Sequence, residues 1–491
     1  MTSAASVVNK GAHGSTKKAK PFGWSDRIGY MFGDFGNDFT FILQAMLFMA
    51  FYTKVIGVEA AHVGTLLLVA RLIDGFTDVG VGRFLDTRQP GRHGKFRPWL
   101  LRGAIPVAAA SALMYMNFVS GWESYGARVA WMSITYILWG SIAYTLVNIP
   151  YGSMASVMTT NPDQRAQLSV FRSTGAMLAA IVISVAVPMF VNVTDADGNS
   201  VLSGERMQMV AIALSILALG AYALAFLMTR ERVEEPPAKE VVPFREMITS
   251  VLRSKPLRGL VVSALLLLVG SLLPSGLVAY LWLDYFNRGD LQSIAALAGF
   301  VPTLLLLPLV PWLAKKFGKR EASVVSLILG SSMYILAWVL GLQDQPMVFI
   351  ALFTIANFCM AMFNFMVWAF ITDVIDDHDV ETGDRDDATI YGIYSWARKL
   401  GQALAGGLGG WALGWVGYQA TTGSDQIVQA QETLDGIYML STLVPGVLLI
   451  LVALSLRFLY PLSKKVVDAN AAVLAERRAA QASMEASESP K

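Results

Sequence analysis

The chain has 491 residues, of which 55% are hydrophobic and 15% are charged, and its formal net charge is +2. This composition is more apolar than a water-soluble domain can bury, and the small net charge excludes the broad basic surface that nucleic-acid binding requires. The single cysteine, Cys359, excludes a disulfide framework and a cysteine-based metal site.

Apolar blocks of about 20 residues or more, the length that spans the hydrocarbon core of a bilayer, recur along the chain. The first 26 residues are polar and basic and lack the apolar core of a cleavable signal peptide, so the first block is expected to serve as an uncleaved insertion signal. The sequence therefore predicts an all-α membrane protein with twelve transmembrane helices. The blocks lie at about 27–54, 60–85, 98–120, 129–155, 167–192, 207–229, 257–286, 291–314, 321–342, 346–372, 389–418 and 433–460.

A polar, proline-containing stretch between the sixth and seventh blocks divides the helices into two groups of six. A weak internal repeat supports two related halves, because basic residues follow helix 2 at 94–97 and helix 8 at 315–320. We expect a substrate site between the halves, near the middle of the membrane. The predicted division is an N-terminal tail 1–26, a six-helix bundle 27–229, a linker 230–256, a second bundle 257–460 and a C-terminal tail 461–491.

Basic residues predict the orientation of the chain, because Lys and Arg are retained in cytoplasmic loops. The N-terminal tail, the loop with Lys95, the linker and the loop with Lys315 all fall on one side. The opposite loops include the polar insert 192–205 and the segment 421–432. We therefore expect a multi-pass protein of the cell inner (plasma) membrane with both termini cytoplasmic.

Helix 2 carries charges where a spanning helix is expected to be apolar. A carboxylate at the centre of such a helix costs about 2.5–3.5 kcal/mol, so it needs a partner or a function. Asp74 and Asp78 are four residues apart and share one helix face. In one interpretation Arg71 simply neutralises its neighbour within a packing network. In the other, one Arg leaves one carboxylate over, which suits a proton or a monovalent cation, and Thr77 adds a neutral oxygen of the kind that Na⁺ accepts.

Polar residues also follow one face of helix 4, where Tyr144, Asn148 and Tyr151 have the spacing of successive helical turns. This stripe either lines a cavity or forms hydrogen bonds between helices. Arg398 and Lys399 of helix 11 point about 100° apart, so at most one of them faces a central cavity squarely. The glycine-rich stretch after them is expected to allow close helix packing.

In their order along the chain, several motifs are similar to those of a known family. The chain resembles the glycoside–pentoside–hexuronide:cation symporters, a branch of the major facilitators that includes the bacterial melibiose permease. The resemblance covers about residues 25–460. The landmarks are Gly33-Asp34-Phe35-Gly36-Asn37-Asp38, Ala70-Arg71-Leu72-Ile73-Asp74-Gly75-Phe76-Thr77-Asp78, Gly94-Lys95-Phe96-Arg97-Pro98-Trp99, Tyr136-Ile137-Leu138-Trp139-Gly140, Asn148-Ile149-Pro150, and Asp373-Val374-Ile375-Asp376 with Thr382-Gly383-Asp384-Arg385 and Lys399.

The resemblance implies the major facilitator fold, two six-helix bundles, and a role for each matching residue. The resemblance implies a cation site formed by Asp74, Asp78, Thr77 and Thr145, to which we add Asn148. Na⁺ is possible at Asp74 and Asp78. The resemblance also implies substrate contacts at Asp38 and Arg172, and at Lys399 near the cation site. With the polar stripe of helix 4, the predicted substrate site consists of Asp38, Asn148, Tyr144, Tyr151, Arg172 and Lys399. The resemblance further implies a cytoplasmic charged network that joins the halves in one state, formed by Asp373, Asp376 and Arg385.

Two positions differ from the melibiose permease. Asn148 stands where that protein has an Asp that serves both sugar and cation, and Gly152 stands where an aromatic residue packs on the galactoside ring. Galactoside recognition and Na⁺ selectivity are therefore not implied, and proton coupling competes with Na⁺ coupling.

The sequence as a whole predicts a Na⁺- or H⁺-coupled symporter that moves a sugar, glycoside or pentoside by alternating access. We expect no cofactor, no catalytic residue, and no partner other than the solute and the bilayer. A uronide or a lysolipid-like amphiphile is an alternative cargo, and a membrane sensor that binds without translocating is an alternative function.

Overall fold

The computed structural model describes residues 21–233, 249, 253–306, 308–383, 387–422 and 427–488. The described chain is almost entirely helical, and a short hairpin of two strands interrupts it. The elements are α1 (Trp24–Lys54), α2 (Ala60–Asp86), α3 (Arg97–Met114), α4 (Tyr125–Met158), α5 (Asp163–Val191), β1 (Asn192–Thr194), β2 (Ser200–Leu202), α6 (Gly204–Met228), α7 (Lys255–Tyr285), α8 (Leu291–Leu306 and Leu309–Phe317), α9 (Lys319–Leu340), α10 (Pro346–Thr382), α11 (Asp387–Trp415), α12 (Gln431–Leu459) and α13 (Lys464–Glu488).

The predicted all-α membrane fold is confirmed. Within the described ranges, nine helices are long and apolar enough to cross a membrane, and the bent pair that forms α8 makes a tenth. Two further helices, α1 with 31 residues and α11 with 29, have the length of a span but carry more polar residues. The count of twelve crossings therefore stays a prediction at these two helices.

Several elements differ from the hydropathy prediction. The eighth predicted helix bends by 58° between its two parts, next to Pro308, which cannot donate a helical hydrogen bond. Helix α10 continues ten residues beyond 372, through a polar stretch that hydropathy does not detect. The final predicted block contains a break at Thr442.

The described part of the C-terminal tail forms helix α13 over Lys464–Glu488. Helix α13 packs against α10; its Val467 lies against the hydrophobic core of the C-terminal half, and its Leu474 is buried. The Asn470 amide donates a hydrogen bond of 2.8 Å to Asp377. Most of the predicted linker 230–256 and Arg385 lie outside the described residues.

Glycines bring α2 and α11 into close contact along their outer parts, as the glycine-rich stretch predicts. A Cβ atom added at Gly410 would lie 2.5 Å from the Cα atom of Gly64. One added at Gly407 would lie 3.0 Å from the Cβ atom of Leu68. The two helices belong to different halves of the chain, so this contact joins the halves.

Replacing Gly410 by Ala should destabilise the folded chain by about 1–3 kcal/mol, because the added methyl group meets backbone atoms that cannot move aside. Gly392→Ala is the matched control in the same helix, since a Cβ atom there meets nothing within 4 Å. Thermal unfolding in detergent measures both variants. Equal melting temperatures for the two variants would contradict the close packing of α2 and α11.

Candidate functional site

Four charged residues from both halves of the chain meet beside α4. We call Arg71, Asp74, Asp78 and Lys399 the paired cluster. The Arg71 guanidinium lies 3.3 Å from a carboxylate oxygen of Asp74 within α2. The Lys399 ammonium of α11 forms an ion pair with Asp78. Each carboxylate therefore has its own cation.

Hydroxyl groups of α4 complete the coordination of both carboxylates. Ser141 donates a hydrogen bond of 2.5 Å to Asp74, and Thr145 donates one of 3.1 Å to Asp78. Ser141 lies in a π-helical stretch of α4, Leu138–Tyr144. Such stretches widen the turn and recur at functional sites. Carboxylate and hydroxyl oxygens are hard ligands that suit a proton or an alkali cation better than a soft metal.

The charge balance of this cluster differs from the sequence-based expectation. The sequence predicts that one carboxylate remains after pairing with Arg71, but Lys399 neutralises it in this conformation. Of the other residues predicted for the cation site, Thr77 donates to the backbone carbonyl of Asp74 at 3.2 Å, and Asn148 is half-buried on α4. Arg398 turns away and lies 5.6 Å from the Trp368 ring, which confirms that only one of the two cations points into the site.

A second group, which we call the acidic cluster, contains Asp34, Asp38 and Arg172. The Arg172 Nε donates a hydrogen bond of 3.1 Å to Asp34, which is buried. Asp38 lies within electrostatic range of both residues. Two carboxylates face one guanidinium, so the formal charge of this cluster is −1.

Aromatic side chains support the acidic cluster. Tyr30 and Tyr151 stack with ring centroids 4.6 Å apart, and the Arg172 guanidinium lies 5.3 Å from the Tyr151 ring. The Tyr151 hydroxyl donates 2.7 Å to the carbonyl of Tyr30. Tyr151 is fully buried, so it packs beneath the cluster and does not line an open cavity. Of the two roles that the sequence allows for Tyr151, a hydrogen bond between helices is the one found in the structure.

Tyr144 connects the two clusters. It lies within electrostatic range of Asp34, Asp38, Arg71 and Arg172. Its ring is stacked on Phe41, with centroids 5.9 Å apart, and the Arg71 guanidinium lies 5.2 Å from the same Phe41 ring. A change in either cluster can therefore reach the other through two packed rings.

The predicted cytoplasmic network includes an ion pair within the C-terminal half. Asp373 is buried and pairs with Lys319 of α9 at 2.5 Å. Both residues belong to the C-terminal half of the chain. Asp376 lies one turn further along α10, and Arg385 falls outside the described residues. A contact of this network with the N-terminal half stays a prediction.

The halves are joined tightly at the end of the bundle that carries the loops predicted to face outside. Lys54 and Asp284 form a buried ion pair of 2.6 Å, and the hydroxyls of Thr53 and Tyr280 lie 2.6 Å apart. The Thr421 N–H donates 2.7 Å to the carbonyl of Thr53. This outer end is therefore closed.

The polar insert 192–205 strengthens the same closure. Strands β1 and β2 pair in an antiparallel hairpin. The Asn192 amide donates 2.9 Å to the Gln292 side chain, and the Ser200 N–H donates 2.6 Å to the Asn287 side chain. An insert of the N-terminal half thus holds the start of α8.

Sequence reasoning missed three of these residues. Ser141 looks like an ordinary small residue of a membrane helix, and its signal was only its position one turn before Thr145. Lys54 and Asp284 are charges near the ends of predicted helices, where charged residues are common. Nothing in the sequence indicates that they meet.

The comparison with known proteins then decides the family. The chain matches the sequence profile of the family described as "MFS/sugar transport protein" over residues 29–464. The chain belongs to this family. The resemblance to glycoside–pentoside–hexuronide:cation symporters is thereby confirmed, and the chain is a multi-pass secondary transporter and not an enzyme.

Relatives of this sugar-transport family member include the glucuronide carrier protein homolog of Escherichia coli (strain K12). It is 31% identical over 90% of this chain and 93% of the relative. The isoprimeverose transporter of Lactiplantibacillus pentosus is 30% identical over 89% of this chain and 88% of the relative.

Solved structures support the fold. A crystal structure of a mutant of the nucleoside transporter NupG superposes with a TM-score of 0.60 at 10% identity, over 89% of this chain and 100% of that one. An inward-facing bacterial homologue of the lysosomal transporter Spinster superposes with a TM-score of 0.58 at 13% identity, over 89% of this chain and 95% of that one.

Removing one member of the Lys54–Asp284 pair should destabilise the transporter by about 3–5 kcal/mol, because it leaves a buried charge without a partner. Asp284→Ala and Lys54→Met are each expected to lower the melting temperature in detergent. The double variant should recover part of the loss, since no lone charge remains.

Asp290→Ala is the matched control. Asp290 pairs with Arg288 at 2.7 Å in a nearby loop, but the two side chains are 61% and 49% exposed, so its loss should cost less than about 1 kcal/mol. If the two single variants at the outer end behave like this control, the pair does not hold the outer end closed.

Proposed function

We propose that this transporter is a cation-coupled symporter of the inner membrane that carries a sugar or glycoside by alternating access. Both termini are cytoplasmic in this proposal, and the coupling ion is Na⁺ or H⁺. The observation that carries it is the ion pair between Asp78 of one half and Lys399 of the other. When Asp78 exchanges the Lys399 ammonium for a free ion, the ion pair between the two halves breaks. The bound ion therefore determines whether this contact between the halves forms.

The exchange works through charge. With Lys399 on Asp78 the paired cluster is balanced, so a bound cation would add an uncompensated positive charge in a low-dielectric site. A proton or Na⁺ at Asp78 therefore releases Lys399, and a departing ion lets the lysine return. Ser141 and Thr145 supply the neutral oxygens that an ion needs in place of water.

The acidic cluster supplies the sugar contacts. Asp38 and the Asp34 carboxylate accept hydrogen bonds from sugar hydroxyls, and Arg172 donates them, since its side chain is 43% exposed. Asn148 of α4 can both donate and accept. Because Tyr144 lies between the clusters, the occupancy of one site alters the electrostatics of the other.

The closed outer end corresponds to the state that releases cargo to the cytoplasm. Opening it requires separation of Lys54 from Asp284 and of Thr421 from Thr53. One elementary charge that moves down 100 mV supplies about 2.3 kcal/mol, which sustains a roughly fiftyfold gradient of solute.

Neutralising Asp74 or Asp78 tests whether solute transport is coupled to a cation. Asp74→Asn and Asp78→Asn should each abolish uphill accumulation of a transported glycoside in proteoliposomes, because the ion no longer has its carboxylate. Asp290→Asn, in an exposed loop, is the control and should accumulate normally. Uptake is measured over a glycoside panel with a Na⁺ gradient and a pH gradient imposed separately. Accumulation by either Asp74→Asn or Asp78→Asn at the control level would refute the coupling assignment.

A uronide is the second candidate cargo, favoured by the partly exposed guanidinium of Arg172 and by the relative named as a glucuronide carrier homolog. A carboxylate on Arg172 forms charge-assisted hydrogen bonds. Arg172→Gln should then weaken uptake of a methyl glucuronide by about 10- to 100-fold more than uptake of the methyl glucoside.

Arg398→Gln is the control for this comparison, because that arginine lies against Trp368 and should leave the ratio unchanged. An equal loss for both sugars in the Arg172 variant would exclude recognition of the uronide carboxylate.

A further inference from the structure

A cavity of about 480 Å³ lies at the predicted cytoplasmic end of the C-terminal half. Its walls come from the end of α8, the start of α9, the buried side of α10 and the start of α13. Among the described residues that line it, none belongs to the paired cluster or the acidic cluster. We call this cavity the basic pocket, and its charged lining residues are Lys315, Lys319, Arg320, Lys464, Asp373 and Asp468.

Two of the four cations of the basic pocket are already neutralised. The Lys319 ammonium pairs with Asp373 at 2.5 Å. The Arg320 guanidinium pairs with Glu321 at 2.9 Å. These two cations therefore hold the walls of the pocket together and leave little charge for a ligand.

The other two cations keep their charge. Lys464 donates hydrogen bonds of 2.8 and 3.2 Å to the backbone carbonyls of Lys315 and Lys316, which position its ammonium without neutralising it. The Lys315 side chain is exposed, and within the described ranges neither lysine has a carboxylate within 4 Å. Only the exposed Asp468 opposes them in the wall. A formal charge of +1 therefore remains for an anion.

Aromatic side chains beside the basic pocket place it at the level of lipid headgroups. Trp312 and Phe317 of α8 are 54% and 51% exposed. The Lys316 ammonium lies 4.9 Å from the first ring and 5.2 Å from the second. Tryptophan is enriched where a spanning helix meets the membrane–water interface, and lysine extends its charge toward that interface.

A second cavity, of about 330 Å³, lies between α7 and α12 and is apolar apart from Ser455. We call it the apolar groove. It follows α12 from Leu451 to Leu459, which is about 12 Å of helix. Phe458 forms part of its wall and is 74% exposed. The groove therefore presents an open apolar surface to the surrounding lipid.

The apolar groove ends close to the basic pocket. Leu459 lines the groove and Lys464 lines the pocket, and five residues of chain can span at most about 18 Å. On α7 the groove reaches Val262 and Leu266, within about three turns of the predicted cytoplasmic start of that helix. Pocket and groove thus lie in the same predicted leaflet, one at headgroup level and the other at acyl-chain level.

This combination matches one class of molecule. A phosphodiester carries one negative charge and several acceptor oxygens, which suit two unpaired ammonium groups. An acyl chain attached to it covers the apolar groove, which an inorganic anion would leave exposed. A zwitterionic headgroup would bring a further cation next to the lysines. Basic pockets between helices on the cytoplasmic side are typical sites for anionic lipid headgroups.

We propose that the basic pocket and the apolar groove together bind one anionic phospholipid of the cytoplasmic leaflet. Its phosphate lies between Lys315 and Lys464, and one of its acyl chains follows α12. The bound lipid joins the end of α8 to the start of α13. The site is independent of the solute and of the coupling ion, and it uses only the orientation of the proposed function.

Equilibrium binding to the purified full chain in detergent, followed by native mass spectrometry, tests the site. The probes are dioleoyl phosphatidylglycerol and dioleoyl phosphatidylcholine, which have the same acyl chains. The wild-type chain should bind phosphatidylglycerol at least about fivefold tighter. Lys315→Gln and Lys464→Gln should each weaken its binding about fivefold, with little effect on phosphatidylcholine, because each removes one basic charge near the phosphate.

Arg92→Gln is the matched control. Arg92 is an exposed basic residue of the loop between α2 and α3, in the other half of the chain and on the same predicted side. Its loss should leave the affinity for phosphatidylglycerol unchanged. Phe458→Ala should weaken the binding of both lipids severalfold, because it removes part of the groove wall and none of the charge. Melting temperatures show that each variant is folded.

Three results would overturn the proposal. The two lipids bind equally well, or both lysine variants bind phosphatidylglycerol as tightly as Arg92→Gln does, or inorganic phosphate displaces the lipid at equal concentration. The last result would assign the pocket to a free anion. If Lys464→Gln does not fold, Lys315→Gln decides, since its exposed side chain makes no hydrogen bond or ion pair in the described part of the chain. Solute uptake is not measured, so the proposed function stands or falls separately.

Discussion

The organisation of this transporter depends on how it neutralises carboxylates inside a bilayer-spanning bundle. Each such carboxylate needs a cation or a proton close by, because charge separation is costly in a medium of low dielectric constant. Asp74 finds its cation on the same helix, but Asp78 finds it on α11, in the other half of the chain. The relative position of the halves is thus tied to the charge of one side chain.

Separate electrostatic and steric contacts hold the conformation in place. The glycine contact between α2 and α11 and the Lys54–Asp284 pair close the outer end, while Lys399 holds the middle. The acidic cluster holds two carboxylates and one guanidinium within electrostatic range of Tyr144. In the proposed mechanism an ion acts at the paired cluster and a sugar at the acidic cluster, and the packed rings of Tyr144 and Phe41 lie between the two.

The sequence predicts this arrangement wherever the partners are close in the chain. Hydropathy locates the spans because apolar composition is a local property, and the Arg71–Asp74 pair follows from helical spacing. Asp74 pairs with Ser141 of α4, 67 residues away, and Asp34 pairs with Arg172 of α5, 138 residues away. Asp78 pairs with Lys399 of α11, 321 residues away. Their pairing depends on how the helices pack, which neither spacing nor composition encodes. For the same reason helical spacing leaves one carboxylate of α2 without a cation, although Lys399 pairs with Asp78.

The most direct test of the account measures ion movement when sugar flows downhill. A transported glycoside is added to de-energised proteoliposomes of the full chain, and external pH and Na⁺ are recorded with electrodes. The account predicts that one of the two cations enters together with the glycoside, and that the Asp78→Asn variant moves no ions. Downhill entry of the glycoside by the wild-type chain without movement of either cation would contradict it.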